Sequence, residues 1–338
     1  MKLTFKAYNL QLKHTFTIAN SSRTFTPIVL TQLSIENAVG YGEASMPPYL
    51  GETHETALLF LNKAIIILKK YAYPFDIDLV MVEIDKIDVG NKAAKAAIDI
   101  ALHDLKGKLK GTPIWKILGT DPAKMPVTSF TIGMDTPSVL RQKVAESEGF
   151  DILKIKLGSA DDKAIINTIR EVTDKPLYVD ANQGWKDKNF ALDMIFWLAE
   201  KGVLMVEQPM PKEKMAENAF VTEGSPLPTM ADESCQRLTD VANLKGVFTG
   251  INIKLMKSTG LNEGFKMLKL AKSLGMKVMI GCMNETSCAI MAAAQIAPQC
   301  DFVDLDTPWL VTNNPFRDPI LRGGKIQLSE ENGLGISF

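Results

Sequence analysis

The sequence predicts an α/β fold, a TIM-type (β/α)7β barrel with an N-terminal α+β capping domain that the C-terminal tail completes. Three observations predict it. Eight short apolar runs recur from about residue 126 onward. Each is followed by a longer segment with helical spacing of its apolar residues. Acids and lysines stand at the ends of the runs, where a barrel of this type carries its chemistry.

Residues 1–124 read as the capping domain. Segments 2–12 and 28–36 alternate or run apolar as strands do, and the glycine-containing VGYGEAS (39–45) follows. Helical spacing covers 53–71 and 91–110; the second, KAAKAAIDIALHDLKGKLKG, repeats apolar residues at steps of three and four and stops at Gly111. Strands first and helices afterwards suit a compact α+β unit.

Residues 125–315 read as the barrel. The runs are VTSFTI (127–132), ILKIKL (152–157), PLYVD (176–180), VLMVE (203–207), PTMAD (228–232), INIKL (251–255), KVMIG (277–281) and FVDLD (302–306). Their spacing is what a strand, a helix and two short loops occupy. An open doubly wound sheet is the alternative, but no GxGxxG turn follows the first run. Residues 316–338 hold one more short strand, KIQL, and a glycine-rich end that returns to the capping domain.

Bulk properties bound the function. A chain of 338 residues, 46% hydrophobic and with a net charge of -1, has a large core and no electrostatic footprint for nucleic acid. The most apolar stretch, Ala57 to Leu68, is interrupted by Asn62 and Lys63 and is too short for a membrane. The N-terminus lacks a signal-peptide core, and Cys235, Cys282, Cys288 and Cys300 form no CxxC pair. These features lead us to expect reduced thiols, a cytoplasmic location and a small-molecule partner.

Asp180, Glu207 and Asp232 end three consecutive runs. Neighbouring barrel strands lie about 4.8 Å apart, so carboxylates at one level converge and repel unless a cation sits between them. An all-oxygen set favours Mg²⁺, with Mn²⁺ next. Lys154 and Lys156 share one face of their strand, within ILKIKL. Lys254, in INIKLM, lies four runs further on, across an eight-stranded barrel. A lysine then stands on each side of a metal-bound substrate. Such a site suits removal of the proton next to a carboxylate, with the metal and a lysine steadying the enediolate. The chain's three histidines, His14, His54 and His103, fall outside the barrel runs, which argues against a histidine-rich zinc centre.

LKIKLG (153–158), YVDANQGW (178–185), VEQP (206–209), MADES (230–234) and INIKLMK (251–257) together resemble the muconate-cycloisomerase subgroup of the enolase superfamily, over nearly the whole chain. The resemblance implies Asp180, Glu207 and Asp232 as Mg²⁺ ligands, Lys156 and Lys254 as the acid/base pair, and Lys154 as the neutraliser of the substrate carboxylate. Asn182 and Glu233 fall beside the ligands. Glu285, in CMNET, equally suits the first turn of the next helix. Family members also commonly assemble as homo-oligomers.

Fold and lysines do not choose among the subgroup's reactions. Asp304 and Asp306, a same-facing DxD pair at the last run, resemble the dipeptide-epimerase signature and suit an α-ammonium. Arg23, in TIANSSRTFTP, resembles the position that L-Ala-D/L-Glu epimerases use for a second carboxylate. Thr131 and Cys282 fall at matching substrate-side positions. The expected reaction is two-base epimerisation at the C-terminal residue of a dipeptide, with L-Ala-D/L-Glu, a murein-derived unit, favoured. The alternatives are a muconate-type cycloisomerase or an o-succinylbenzoate synthase on the same scaffold, and a non-catalytic dipeptide-binding protein.

Overall fold

A computed structural model describes residues 1–18 and 21–338. Three antiparallel strands open the chain: β1 (Lys2–Ile18), β2 (Ser21–Ile35) and β3 (Ala38–Ser45), in the order β1-β2-β3. Helices α1 (His54–Leu68), α2 (Ile77–Asp85) and α3 (Lys92–Lys110) follow, with a short α4 (Ile114–Leu118). Helix α3 lies directly on β3. A Cβ at Gly40 would come 2.2 Å from the Ala101 carbonyl, and one at Gly42 would come 2.0 Å from that of Ala97. Only glycine admits so close a strand-to-helix contact.

The barrel strands are β4 (Ser129–Ile132), β5 (Ile152–Lys156), β6 (Leu177–Asp180), β7 (Val203–Glu207), β8 (Thr229–Ala231), β9 (Gly250–Lys254), β10 (Lys277–Gly281) and β11 (Phe302–Asp304). They pair in parallel in chain order, and a bridge from Thr128 to Val303 joins the first strand to the last. Between them run α5 (Pro137–Glu146), α6 (Asp162–Arg170), α7 (Lys188–Glu200), α8 (Met215–Gly224), α9 (Leu238–Val241), α10 (Leu261–Ser273) and α11 (Ser287–Ala294). After β11 the chain forms a 3-10 turn, Thr307–Leu310, then the small hairpin β12 (Leu321–Arg322) and β13 (Lys325–Ile326). Among the described residues no helix is long and apolar enough to cross a membrane.

Strand period sets the height of the site. Ile152, Tyr178, Met205, Met230 and Met279 form one buried cluster inside the barrel. Two residues further along β5, β6 and β7, on the same face, stand Lys154, Asp180 and Glu207. Asp232, just past β8, is likewise two beyond Met230. An apolar floor therefore carries a polar layer at the C-terminal ends of the strands.

The N-terminal sheet is tied to the barrel through a buried acid. Glu43 on β3 accepts hydrogen bonds from the backbone of Thr286 (2.8 Å) and Ala289 (3.3 Å) and from the Thr286 hydroxyl, at the start of α11. Glu285 precedes the N-cap Thr286 and accepts from the Met283 N–H, so it is not a first-turn acid as the sequence suggested. Burial lifts Glu43 from 4.5 to about 7, against the pull of those hydrogen bonds. The folded protein then keeps a proton that the unfolded chain releases above about pH 4.5. Stability from this group should fall as pH rises from about 4.5 to 7, by about 1–3 kcal/mol. Thermal melts at about pH 5 and pH 8 check this: Glu43→Gln should flatten the decline. A wild-type slope in the variant would contradict it.

Candidate active site

Strand register lines up the chemistry in two rows. Lys156, Asp180 and Glu207 are cross-strand partners along β5, β6 and β7. Lys254, Gly281 and Asp304 are partners along β9, β10 and β11. Lys156 and Lys254 thus project from strands four apart in an eight-stranded barrel. One oxygen from each of Asp180, Glu207 and Asp232 falls within 4.8 Å of the others, and all three residues are buried.

Lys154, Lys156 and Lys254 each have a carboxylate counter-charge. Lys154, fully buried, lies 2.6 Å from Glu207, 2.7 Å from Asp304 and 3.6 Å from Asp180. Lys156 Nζ donates to Asp180 at 2.6 Å, and Lys254 Nζ donates to Asp232 at 2.8 Å. Burial opposes the charge on Lys154, yet Asp304, Glu207 and Asp180 outweigh it and hold its pKa well above the ordinary lysine value. Burial also opposes the charge on Lys254, and Asp232 leads the groups that raise it. The acids divide. Burial would lift all three, but Lys254 and Lys257 bring Asp232 well below the usual carboxylate range. Lys156 and Lys154 bring Asp180 down. Glu207 stays raised, by burial and then by its neighbour Asp180.

A cleft of about 500 Å³ opens on this layer. Arg23, Thr131, Lys156, Asn182, Asp232, Lys254, Cys282, Asp304 and Asp306 all line it. Lys154 lies among the acids instead, with no exposed side chain. Asp304 pairs with Lys154 and accepts from Ser129 (2.8 Å) and Thr131 (3.2 Å). Asp306 accepts from the Thr131 backbone N–H, and burial followed by Asp304 lifts it to about 7. Of the DxD pair, Asp306 is the one whose charge still calls for a cation. Asn182 adopts a left-handed backbone (φ 44°) and its N–H holds Asp180 at 2.8 Å. Glu233, lifted to about 8 by burial and then by Asp232, has a buried oxygen without a partner among the described residues. Burial holds the Cys282 thiol well above its usual pKa, so it is no ready nucleophile.

Three residues absent from the sequence reading organise the acids. Asn252 donates to Glu207 at 2.6 Å. Gln208 accepts from the N–H groups of Asp232 (3.0 Å) and Ser234 (3.2 Å). Lys257, buried, donates to the Asp232 carboxylate and, at 2.6 Å, to its carbonyl. A same-face position, two before Lys254, was the available signal for Asn252; the second lysine of INIKLMK was that for Lys257. Lys257 fixes one oxygen of Asp232, and Lys254 holds the other at 2.8 Å. Lys257→Met should weaken Mg²⁺ binding by about 10–100-fold, read by calorimetry. Unchanged metal affinity would show that the clamp is not needed.

The donor set fits a hard divalent cation: three buried carboxylates, each with an oxygen within 4.8 Å of the others, and no nitrogen or sulfur. A parallel barrel with such a triad and flanking lysines at its C-terminal face defines a barrel enzyme of the metal-assisted, proton-transferring class. Residues 139–338 match the family described as enolase C-terminal domain-like, and residues 2–119 match the mandelate racemase / muconate lactonizing enzyme N-terminal domain. The chain belongs to the enolase superfamily.

Among its relatives is the L-Ala-D/L-Glu epimerase of Bacteroides thetaiotaomicron, 56% identical over 99% of this chain and 88% of that protein. The dipeptide epimerase of Enterococcus faecalis, solved with Mg and L-Leu-L-Tyr, superposes with a TM-score of 0.91 at 35% identity. That match covers 100% of this chain and 99% of the other. The substrate-liganded L-Ala-D/L-Glu epimerase of Bacillus subtilis also superposes at 0.91, at 27% identity, covering 99% of each chain.

Proposed function

We propose that the protein epimerises dipeptides at the α-carbon of the C-terminal residue, with L-Ala-D/L-Glu as the favoured substrate and Mg²⁺ as the cofactor. The observation that carries this reading is the cleft itself: amines from opposite strands, a carboxylate triad between them, and Asp306 at one end. The named relatives support it.

Asp180, Glu207 and Asp232 would hold the ion. When bound, Mg²⁺ supplies the positive charge that steadies a carboxylate whose α-proton is leaving. Lys156 removes the α-proton from one enantiomer and Lys254 delivers a proton to the other face; the reverse direction exchanges their roles. Lys154 contributes a fixed cation beside the site. Asp306, with Asp304, receives the substrate α-ammonium, which gives its buried charge a partner. The barrel floor excludes water from below.

Arg23 supports the Glu preference. Its guanidinium packs 5.2 Å from the Phe16 ring, and the Asn284 amide, turned to satisfy its neighbours, accepts from Nε and Nη2 at 3.0 Å. Nη1 is buried with no partner among the described residues. Burial is the main influence lowering the Arg23 pKa. A side-chain carboxylate would complete it. Arg23→Ala should raise KM for L-Ala-L-Glu by about 10–100-fold relative to that for L-Ala-L-Ala. Equal effects on both peptides would remove Arg23 from the specificity argument.

The reading assigns the enzyme to cytoplasmic handling of murein-derived peptides. Its test is incubation with L-Ala-D-Glu and Mg²⁺ in D₂O, with the α-hydrogen followed by NMR. Loss of the α-hydrogen signal and appearance of the L,L peptide are expected. No exchange with any dipeptide would refute it.

A further inference from the structure

Lys257 grips Asp232 with a fully committed ammonium. Its Nζ donates to the Asp232 carboxylate, to the Asp232 carbonyl at 2.6 Å and to the Asn252 carbonyl at 3.2 Å. All three protons have acceptors, so the grip depends on where the backbone puts residue 257. That backbone is a tight turn between β9 and α10. The N–H groups of Lys257 and Ser258 both donate to the Lys254 carbonyl, at 2.9 Å and 3.1 Å, and the Gly260 N–H donates to the Leu255 carbonyl at 2.9 Å. Thr259, within the turn, has φ 59°. A left-handed conformation strains a β-branched residue and persists only where the surroundings impose it.

Strand β9 holds one end of the turn. The other end is held from the capping domain. The N-cap of α10 is Gly260, which has no side chain to offer the first N–H groups of the helix. Asp99, on α3, supplies the missing acceptor: its Oδ2 takes the Leu261 N–H and, at 3.1 Å, the Asn262 N–H. Asp99 is completely buried. A Cβ at Gly260 would come 2.3 Å from that same oxygen, so glycine, here at φ 121°, is what admits the carboxylate. Asp78 also ties α10 to the capping domain, through the side chains of Asn262 and Lys266. Those contacts are exposed and join flexible side chains, which hold geometry loosely. Of the two acids, Asp99 is the one that grips the main chain.

We propose that Asp99 is a positioning residue for the metal centre: it anchors the start of α10, fixes the turn over 255–260, and so sets Lys257 against Asp232. The inference rests on the reading of Asp180, Glu207 and Asp232 as the Mg²⁺ ligands. Asp99 touches neither the ion nor the substrate and acts through Lys257. Metal affinity then depends on the contact between the capping domain and the barrel, and not on the barrel alone.

The test is calorimetric titration with Mg²⁺ of the full-length wild type, Asp99→Ala, Asp99→Asn, Lys257→Met and the Asp99→Ala/Lys257→Met double variant. Asp99→Ala is expected to weaken binding about tenfold. Asp99→Asn keeps an acceptor oxygen for the helix and is expected to stay within about threefold of the wild type. In the Lys257→Met background, Asp99→Ala should cost less than about twofold more, because its route to the metal is already cut. Thermal melts of the metal-free proteins report folding separately, and Asp99→Ser, whose side chain falls short of the helix, takes the place of Asp99→Ala if that variant does not fold. A lowered melting temperature with wild-type Mg²⁺ affinity would make Asp99 an ordinary helix cap and overturn the proposal. Equal losses with and without Lys257 would overturn it too. If the wild type itself binds no Mg²⁺, the ligand reading falls with it.

Discussion

Lys254→Ala and Lys156→Ala are each expected to lose epimerisation of L-Ala-L-Glu by about 10²–10⁴-fold in kcat, in both directions. Inversion needs one amine to take the proton and the other to return it, so neither can be spared. Their residual chemistry should differ. Each variant retains one amine on one side of the cleft, because the lysines project from β5 and β9 on opposite sides of the barrel. In D₂O one variant should exchange the α-hydrogen of the L,L peptide only, and the other that of the L,D peptide only. NMR of both diastereomers checks this. Identical exchange patterns would mean that both amines serve one face.

Replacing Glu207 with Gln should have the second large effect. Glu207 is fully buried, held by Asn252 at 2.6 Å and lying 2.6 Å from Lys154. The amide keeps the shape and removes a charge from the ion's nest. Mg²⁺ affinity should fall by at least about 100-fold, more than the loss of an outer hydrogen-bonding partner typically brings. The fold should persist, because Lys154 keeps Asp304 and Asp180. Calorimetry with Mg²⁺ beside a thermal melt of the metal-free protein separates the two effects. Wild-type affinity in the variant would remove Glu207 from the ligand set. Chelation should likewise abolish wild-type activity, and Mg²⁺ or Mn²⁺ should restore it.

The barrel was legible because its strands are short and regularly spaced, and because their period-two pattern places a polar residue two positions after an apolar one. That pattern also exposed Asp180, Glu207 and Asp232, while Lys156 and Lys254 stood out as charges inside apolar runs. The N-terminal domain was harder to read. Strand β3 hides its nature behind Gly40 and Gly42, which its contact with α3 demands but which lower strand propensity. The ribbon formed by β1 and β2 runs well past residue 12, through KHTFTI and SSRTFT. Those residues have little core face, so hydrophobic periodicity could not find them; they are placed by contact with the barrel rim. Helix α2 escaped for lack of length. The supporting roles of Asn252, Gln208 and Lys257 depend on which side chains meet across neighbouring strands, which one strand's pattern does not reveal. Asp304 and Asp306 read as an equivalent pair in sequence. In three dimensions Lys154 pairs with the first, whereas the second accepts from the Thr131 backbone N–H.

A crystal structure of the protein with Mg²⁺ and L-Ala-L-Glu tests the central claim most directly. The account predicts one ion ligated by Asp180, Glu207 and Asp232, with the Glu α-carbon between Lys156 Nζ and Lys254 Nζ on its two faces. An ion bound elsewhere, or both amines on the same face of that carbon, would contradict it.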